Sequence, residues 1–259
     1  MLAITHIPSA NLYDGQRTHV AREPIDLDLA VRQHTAYCQT LRDCGADVVT
    51  LEVNRDKPDA TFIEDTAIVL DEVAIKASMG TPARRGEPAR IEPELRKYRP
   101  VHRVQPPATI EGGDVLRVGR TLLVGLSSRT NLAGMQSFET IVRRHGYTVV
   151  PVPVGQCLHL KTACTALPDG SLLVNPSWLD LRPLHEFEKV LVPETEPWGA
   201  NTLPVKGTIC LAAANVQTAD LLRKRGLNVH TVDLSEFAKA EGCVTCLSLL
   251  FERRVSGKC

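Results

Sequence analysis

The sequence predicts an α/β protein in which five strand-rich units close into a ring. Apolar strand-like runs alternate with amphipathic helix-like runs along the 259 residues, and no linker or low-complexity tract interrupts them. One unit recurs about five times: a β-branched run, a polar loop, a second apolar run, a turn and a third apolar run. Ring closure removes exposed sheet edges, so we expect a single domain over residues 1–259.

The five units follow one another in order. The first four consist of VVTLEV, FIEDTAIVL and VAIKA; HRVQ, TIEGGDVLRV and TLLVG; TVVPVPV, LHLKTACTAL and SLLVN; and KVLVPE, GANTLPV and TICLAAA. The fifth contains NVHTVDL and GCVTCLSLLF and lacks a third strand. We predict that LAITHI, at the N-terminus, supplies this strand and closes the ring.

Helix-like segments fall between the units, at residues 27–44, 88–98, 130–145 and 215–225. Three of them are followed directly by Gly45, Gly146 or Gly226. Glycine just after a helix adopts the left-handed capping conformation without steric strain, so these residues predict the helix ends.

Composition excludes several classes of function. Lys plus Arg and Asp plus Glu are equal at 30 each, so no net positive field favours nucleic acid. No apolar run approaches the roughly 20 residues that cross a bilayer, and the N-terminus lacks a basic leader. We therefore expect a cytoplasmic protein without a membrane segment, whose eight cysteines are reduced thiols.

Five chemically distinctive residues occupy comparable places in the polar loops, at separations of 47, 48, 42 and 45 residues: Glu64, Glu111, His159, Asn201 and Cys246. In a ring of repeats, equivalent loops surround one axis. We therefore expect the side chains of Glu64, Glu111, His159 and Cys246 to converge.

Three of these residues suit nucleophilic catalysis when they are taken together. Cys246 follows the Gly242 turn, His159 lies between apolar neighbours, and Glu111 precedes a Gly-Gly pair. Each residue alone is more often structural: a buried thiol, a hydrogen-bonded histidine or a turn carboxylate. The Gly-Gly pair is not a phosphate loop, because neither a Walker lysine nor a G-x-G-x-x-G spacing follows.

A second group of charged residues suits a cationic amino-acid ligand. Asp59, Glu64 and Asp65 gather in one loop, where carboxylates repel each other unless a metal or a guanidinium joins them. Arg84 and Arg129 can bind a carboxylate through two hydrogen bonds, although each could equally be a solvated surface residue.

Cys243 and Cys246 form a C-x-x-C motif that is open to redox or zinc interpretations. Zinc is disfavoured because no second C-x-x-C or H-x3-H follows. A redox role is disfavoured because the motif precedes an apolar strand instead of opening a helix.

Six motifs in order make the chain resemble the dimethylarginine dimethylaminohydrolase family of the pentein superfamily: FIED at 62–65, ARRGE at 83–87, EGGD at 111–114, SRTN at 128–131, LHLK at 158–161 and TC at 245–246. The resemblance implies a five-bladed, pseudo-symmetric α/β propeller of ββαβ-type repeats. It also implies hydrolysis of methylated arginine to citrulline without a metal or organic cofactor, and a homodimer.

The same resemblance assigns roles by motif. Cys246 is the expected nucleophile, His159 the general acid and base, and Glu111 the carboxylate that orients His159. The expected substrate-binding residues are Asp59 and Asp65 at the guanidinium, Glu64 as a support of their loop, Arg84 and Arg129 at the α-carboxylate, and Gln16 in a lid.

Some residues depart from the family pattern and leave the exact guanidine open. Gln16 stands where the lid usually has Leu, Ala240 is smaller than the expected aliphatic residue, and Ser78-Met79-Gly80 replaces Arg-Pro-Gly. Arginine deiminases and amidinotransferases share the chemistry but are longer. Hydrolysis of another N-substituted arginine is also open, whereas a non-catalytic pentein-like binding protein is disfavoured because no nucleophile, base or orienting carboxylate is missing.

Overall fold

The computed structural model describes residues 1–253 and contains five three-stranded sheets, each built in the same way. In each sheet the middle strand pairs antiparallel with one neighbour and parallel with the other. The sheets consist of β15 (Ser248–Phe251), β1 (Leu2–His6) and β2 (Asp47–Leu51); β3 (Ala67–Val69), β4 (Ala74–Lys76) and β5 (Val101–Arg103); β6 (Val115–Val118), β7 (Thr121–Leu126) and β8 (Thr148–Pro153); β9 (Cys164–Ala166), β10 (Leu172–Val174) and β11 (Lys189–Leu191); and β12 (Thr202–Val205), β13 (Thr208–Ala212) and β14 (Asn228–Val232).

The predicted closure of the ring by the N-terminus is confirmed. β1 pairs antiparallel with β15, from Leu2 opposite Phe251 to Thr5 opposite Ser248. The observed sheets are shifted by one strand from the predicted units. The first run of each predicted unit belongs to the preceding sheet, so that β2 pairs with β1 and not with β3. The reason is that a parallel pair needs a crossover, which the helix between the second and third strands provides.

Four long helices make these crossovers: α1 (Leu27–Asp43), α2 (Glu87–Leu95), α3 (Leu132–Val142) and α5 (Val216–Lys224). They agree with the predicted segments, apart from shorter ends. The fourth sheet makes its crossover through a 3₁₀ turn, Arg182–Leu184. Two further helices, α4 (Leu160–Ala163) and α6 (Ser235–Ala238), are single turns near the pocket described below.

Local chemistry fixes the ends of these helices. The Asp26 carboxylate accepts the Leu29 N–H at the start of α1, at 2.9 Å. Gly45, Gly146 and Gly226 have φ values of 86°, 78° and 81°, as the sequence predicted for residues that terminate helices.

The first strand of each sheet faces the centre of the ring. These inner strands, β3, β6, β9, β12 and β15, line a central cavity of about 540 Å³. Among residues 1–253, none of the helices combines the length and the apolar character that crossing a bilayer requires.

Candidate active site

The loops that precede the inner strands carry the side chains singled out from the sequence. Asp65 lies in the 3₁₀ turn Ile63–Thr66, and Glu111 is the N-terminal capping residue of the turn Gly112–Asp114. His159 caps α4 in the same way. Cys246 lies in the loop just before β15, so four sheets contribute to one site.

A small pocket at this end of the ring brings most of these residues together. Its free volume is about 20 Å³, enough for one water molecule but not for an amino acid. It is lined by Gln16, Asp59, Phe62, Asp65, Arg84, Arg129, Leu158, His159, Thr162, Ala240, Glu241 and Cys246.

The imidazole of His159 lies between two carboxylates. Its Nε2 is 2.8 Å from Glu111 Oε2, and its Nδ1 is 3.7 Å from Asp65 Oδ1. A Cβ on Gly113 would lie 2.7 Å from the His159 ring and 2.8 Å from Asp65 Oδ1. Glycine at this position therefore lets the Glu111 loop approach both side chains.

These carboxylates control the protonation of His159. Burial by itself lowers the pKa of His159, but Asp65, Asp114 and Glu111 together raise it to about 9. The free protein therefore holds a cationic imidazole at neutral pH.

Asp114, the last residue of the EGGD motif, is a contributor to which the motif alone assigned no role. It is fully buried, and it accepts the Leu160 N–H at 2.9 Å and the Ser127 hydroxyl at 2.6 Å. These bonds place a carboxylate beside α4, where it fixes the backbone that follows His159.

Cys246 is held by its own loop and is partly exposed toward the pocket. Its Sγ accepts the Cys243 N–H at 3.4 Å, and its carbonyl accepts the Glu64 N–H at 3.2 Å. Burial raises the pKa of the Cys246 thiol, and the neighbouring Cys243, Glu64 and Asp65 raise it further. The resting residue is therefore a protonated thiol.

Helix α1 supports this loop from behind. The hydroxyl of Tyr37, which is fully buried, donates to the Val244 carbonyl at 2.9 Å and lies 2.8 Å from Ser248 Oγ. The two contacts flank Cys246 in sequence, so α1 fixes the path of the chain on both sides of the thiol.

Asp59 and Gln16 lie in the pocket and contact each other. Both carboxylate oxygens of Asp59 accept the Gln16 backbone N–H, at 3.0 and 3.2 Å. Burial raises the pKa of Asp59, although Arg84 opposes the effect. Asp59 thus anchors the N-terminal segment that carries Gln16, a role that the sequence did not indicate.

Arg84, expected at the substrate α-carboxylate, lines the pocket but is already paired with groups of the protein. Its guanidinium lies 2.6 Å from Asp65 Oδ2 and 2.9 Å from Glu87 Oε2, and it also donates to the Phe62 carbonyl at 2.9 Å. The side chain is 4% exposed. Protein acceptors therefore occupy the donors of Arg84, whose charge instead keeps Asp65 ionised: burial raises the pKa of Asp65, but His159 and Arg84 hold it below its usual value.

Arg129 is less constrained and keeps its predicted position at the pocket. Its Nη2 lies 3.4 Å from Thr18 Oγ1, and its Nη1 lies 3.8 Å from Glu111 Oε1. Gly80 makes this approach feasible, because a Cβ there would lie 2.6 Å from the Arg129 carbonyl oxygen. The Gly80 N–H also donates to Glu111 Oε1 at 2.9 Å, so the Ser78-Met79-Gly80 segment positions Glu111.

Glu64, expected among the substrate-binding residues as a support of their loop, does not itself line the pocket. It faces the central cavity, where its carboxylate lies 2.5 Å from Lys161 Nζ and accepts the Thr245 hydroxyl at 2.8 Å. Asn201, the remaining repeat position, donates to Thr245 Oγ1 at 3.0 Å. Both residues therefore support the Cys246 loop from the side opposite the pocket.

Three side chains of the site resemble a metal-binding group in geometry. Ligand atoms of Asp65, Glu111 and His159 lie within 4.8 Å of one another. A metal would have to displace the proton from His159, whose pKa is about 9. The same two carboxylates suit a guanidinium as well as a metal ion, because a guanidinium is a planar cation with several N–H donors.

Comparisons with known proteins agree with this geometry. The sequence model of the family described as "N,N dimethylarginine dimethylhydrolase, eukaryotic" matches residues 11–172. The N(G),N(G)-dimethylarginine dimethylaminohydrolase of Streptomyces coelicolor is 40% identical over 249 residues, with 95% of each chain covered. That of Pseudomonas aeruginosa is 32% identical over 250 residues, covering 96% of this chain and 98% of the relative. The Pseudomonas aeruginosa protein has also been solved as a cysteine-to-serine mutant complexed with citrulline, and that structure matches with a TM-score of 0.89 at 31% identity, over 96% of this chain and 98% of that chain.

Proposed function

This chain belongs to the dimethylarginine dimethylaminohydrolase family, and on that premise we propose that it hydrolyses dimethylarginine to citrulline and dimethylamine at the Cys246 pocket. The observation that carries the proposal is that Cys246, His159 and Asp65 line one pocket, with His159 hydrogen-bonded to Glu111 behind it. A guanidinium is a poor electrophile because resonance stabilises it, so its hydrolysis calls for a strong nucleophile and a nearby acid.

The charges in the pocket suit both ends of the substrate. Asp65 offers carboxylate oxygens to the N–H groups of the guanidinium, and Arg129 offers N–H donors to the α-carboxylate. Holding both ends fixes the guanidinium carbon beside the sulfur, which makes the attack effectively intramolecular.

The reaction begins with the loss of a proton from Cys246. Its raised pKa keeps the thiol neutral in the empty pocket, whereas a bound guanidinium cation favours the thiolate, so the proton leaves to solvent as substrate binds. The thiolate then adds to the guanidinium carbon. As the C–N bond to dimethylamine breaks, His159 donates its proton to the departing nitrogen, leaving a covalent S-alkylthiouronium.

Hydrolysis of this intermediate restores the protein. The neutral His159 accepts one proton from a water molecule whose oxygen adds to the thiouronium carbon. The C–S bond then breaks, the carbonyl of citrulline forms, and the second proton of that water returns to the sulfur of Cys246. No cofactor enters these steps.

The test is product analysis with four substrates: dimethylarginine, monomethylarginine, hydroxyarginine and arginine. We expect citrulline and dimethylamine in equal amounts from dimethylarginine, with arginine much slower. Ammonia and citrulline from arginine alone would instead identify a deiminase, and no product from any substrate would identify a binding protein. The single-domain organisation, a cytoplasmic location and a homodimer stay predictions; light scattering of the purified protein tests the last of these.

A further inference from the structure

We propose that Glu241 is the residue that latches the N-terminal segment over the pocket and thereby controls access to Cys246. Glu241 would be a positioning residue for the proposed function. The latch itself is argued from contacts, and only its effect on substrate entry and product release rests on that function. The segment, residues 12–22, is called the lid below because Gln16 lines the pocket.

Two bonds from Glu241 hold the lid directly. Its Oε2 accepts the Thr18 backbone N–H at 2.7 Å, and its Oε1 accepts the His19 backbone N–H at 3.0 Å. Glu241 is 5% exposed and lines the pocket, so the carboxylate end of both bonds is buried, whereas Thr18 and His19 lie at the surface. Hydrogen bonds to a shielded carboxylate are stronger than neutral ones.

The backbone at Glu241 is adapted to this task. Its φ is 64°, the left-handed region that a residue with a side chain seldom adopts. The next residue, Gly242, packs so closely that a Cβ would lie 2.2 Å from the Phe62 ring. The turn is therefore held in an unfavourable conformation that aims the carboxylate at the lid, and such strain clusters at functional sites.

The small size of the pocket explains why the latch would control access to Cys246. With the lid in place, the free volume of about 20 Å³ admits a water molecule but no arginine derivative. The lid must therefore open for substrate to enter and for product to leave. The latch bonds break while ligand enters or leaves, and they form again once the pocket has widened around the ligand and the lid has closed over it. Since they are present in both the free and the bound closed forms, they govern the opening rate more than the affinity.

The rest of the lid adds little apolar contact with the body of the protein. Leu12 is buried, but Tyr13 is 47% exposed and packs against Arg17 of the same segment. The Arg17 guanidinium donates to the Lys239 carbonyl at 2.8 Å, two residues before Glu241. The lid is thus attached mainly through polar bonds, several of which end on the Lys239–Glu241 turn.

The first experiment compares wild type with Glu241→Gln, which keeps the size of the side chain but loses the charge and one acceptor. Hydrogen exchange of a peptide from the lid should become about tenfold faster in Glu241→Gln, and alkylation of Cys246 by iodoacetamide, followed by peptide mass spectrometry, should accelerate by a similar factor. Exchange in α1 should not change. Unchanged lid exchange and unchanged alkylation would overturn the proposal.

Two matched variants separate the latch from general effects. Glu196 also accepts two successive backbone N–H groups, those of Gln217 and Thr218, at 2.8 and 2.7 Å, but it does not line the pocket. Lys206 has a φ of 43° in the turn between β12 and β13, so Lys206→Gly relaxes a left-handed residue elsewhere. Neither Glu196→Gln nor Lys206→Gly should change Cys246 alkylation, and acceleration in either would overturn the assignment to Glu241.

A second experiment uses citrulline as the ligand. Glu241→Gln should raise the association and dissociation rate constants together, each about tenfold, while Kd changes less than about threefold. A loss of affinity with unchanged rates would overturn the latch. If the wild type hydrolyses no arginine derivative, the proposed function fails, whereas the exchange and alkylation experiments still decide the role of Glu241.

Discussion

Nε2 of His159 lies 2.8 Å from Oε2 of Glu111, although the two residues are 48 positions apart in the chain. The pair links the loops that precede β6 and α4, from two neighbouring sheets of the ring. Both side chains are buried, so their interaction is only weakly screened by water. Together with Asp65 and Asp114, Glu111 raises the pKa of the expected acid, His159, and this contribution gives the first prediction.

Glu111→Gln should lower the pKa of His159 from about 9, because it removes one of the carboxylates that stabilise the cationic imidazole. In the proposed reaction the cation donates a proton to the leaving amine, so kcat falls as pH rises through this pKa. The falling limb of the pH profile should therefore move at least about one unit toward neutral pH in Glu111→Gln. Glu139→Gln, which changes a surface ion pair with Arg143, is the control and should leave the profile in place.

Cys246→Ser should lower kcat by about a thousandfold or more, because an alcohol is a far weaker nucleophile than a thiolate. Cys243→Ser is the matched control. Cys243 contacts Cys246 Sγ through its backbone N–H, which serine retains, so its kcat should stay within about threefold of wild type. Steady-state citrulline assays measure both, and normal turnover by Cys246→Ser would refute the nucleophile.

The two arginines should respond differently to substitution. Arg129→Lys should raise KM for dimethylarginine by about tenfold or more, because the ammonium cannot hold a carboxylate through two parallel bonds. The protein should unfold at nearly the wild-type denaturant concentration, since the nearest carboxylate, Glu111, is 3.8 Å away. An unchanged KM would contradict the position assigned to Arg129.

Arg84→Met should act chiefly on stability. It leaves Asp65 and Glu87 buried without their cation, which costs about 3–5 kcal/mol of unfolding free energy. Urea unfolding measures the loss. A variant with wild-type stability and a raised KM would instead favour the substrate-binding role that the sequence predicted for Arg84.

Stability should also fall in mild acid because of a buried histidine in α1. Burial and, to a smaller extent, the neighbouring His6 together lower the pKa of His34 to about 4. The folded state therefore favours neutral His34, whereas the unfolded chain takes up its proton near pH 6.5. The stabilisation is complete above pH 6.5 and is lost as pH falls toward 4, by about 2 kcal/mol between pH 7 and pH 5. Urea unfolding at both pH values should show a smaller loss in His34→Gln, and an equal loss would refute the contribution.

The recurring unit was the most informative sequence signal, because local rules determine strands, turns and helix ends. Alternating apolar runs predicted the strands, and Gly45, Gly146 and Gly226 predicted the helix ends that their positive φ values confirm. The spacing of Glu111, His159 and Cys246 also indicated one site before any contact was visible. The first strand of each predicted unit was assigned to the wrong sheet. The pairing of that strand depends on the crossover helix, which the pattern within one apolar run does not reveal.

The roles of the charged residues were decided by tertiary contacts alone. From the sequence we expected Glu64, Asp65 and Arg84 all to serve substrate binding. Only the structure shows that Glu64 pairs with Lys161 outside the pocket and that Asp65 pairs with Arg84 within it. Glu241 gave no usable signal, since an acidic residue before glycine is ordinary in a turn. Periodicity thus predicted a ring of five α/β units, and the resemblance carried by the six motifs implied the kind of chemistry. The protonation of His159 and the attachment of the lid depend instead on distances of a few ångströms between residues remote in the chain.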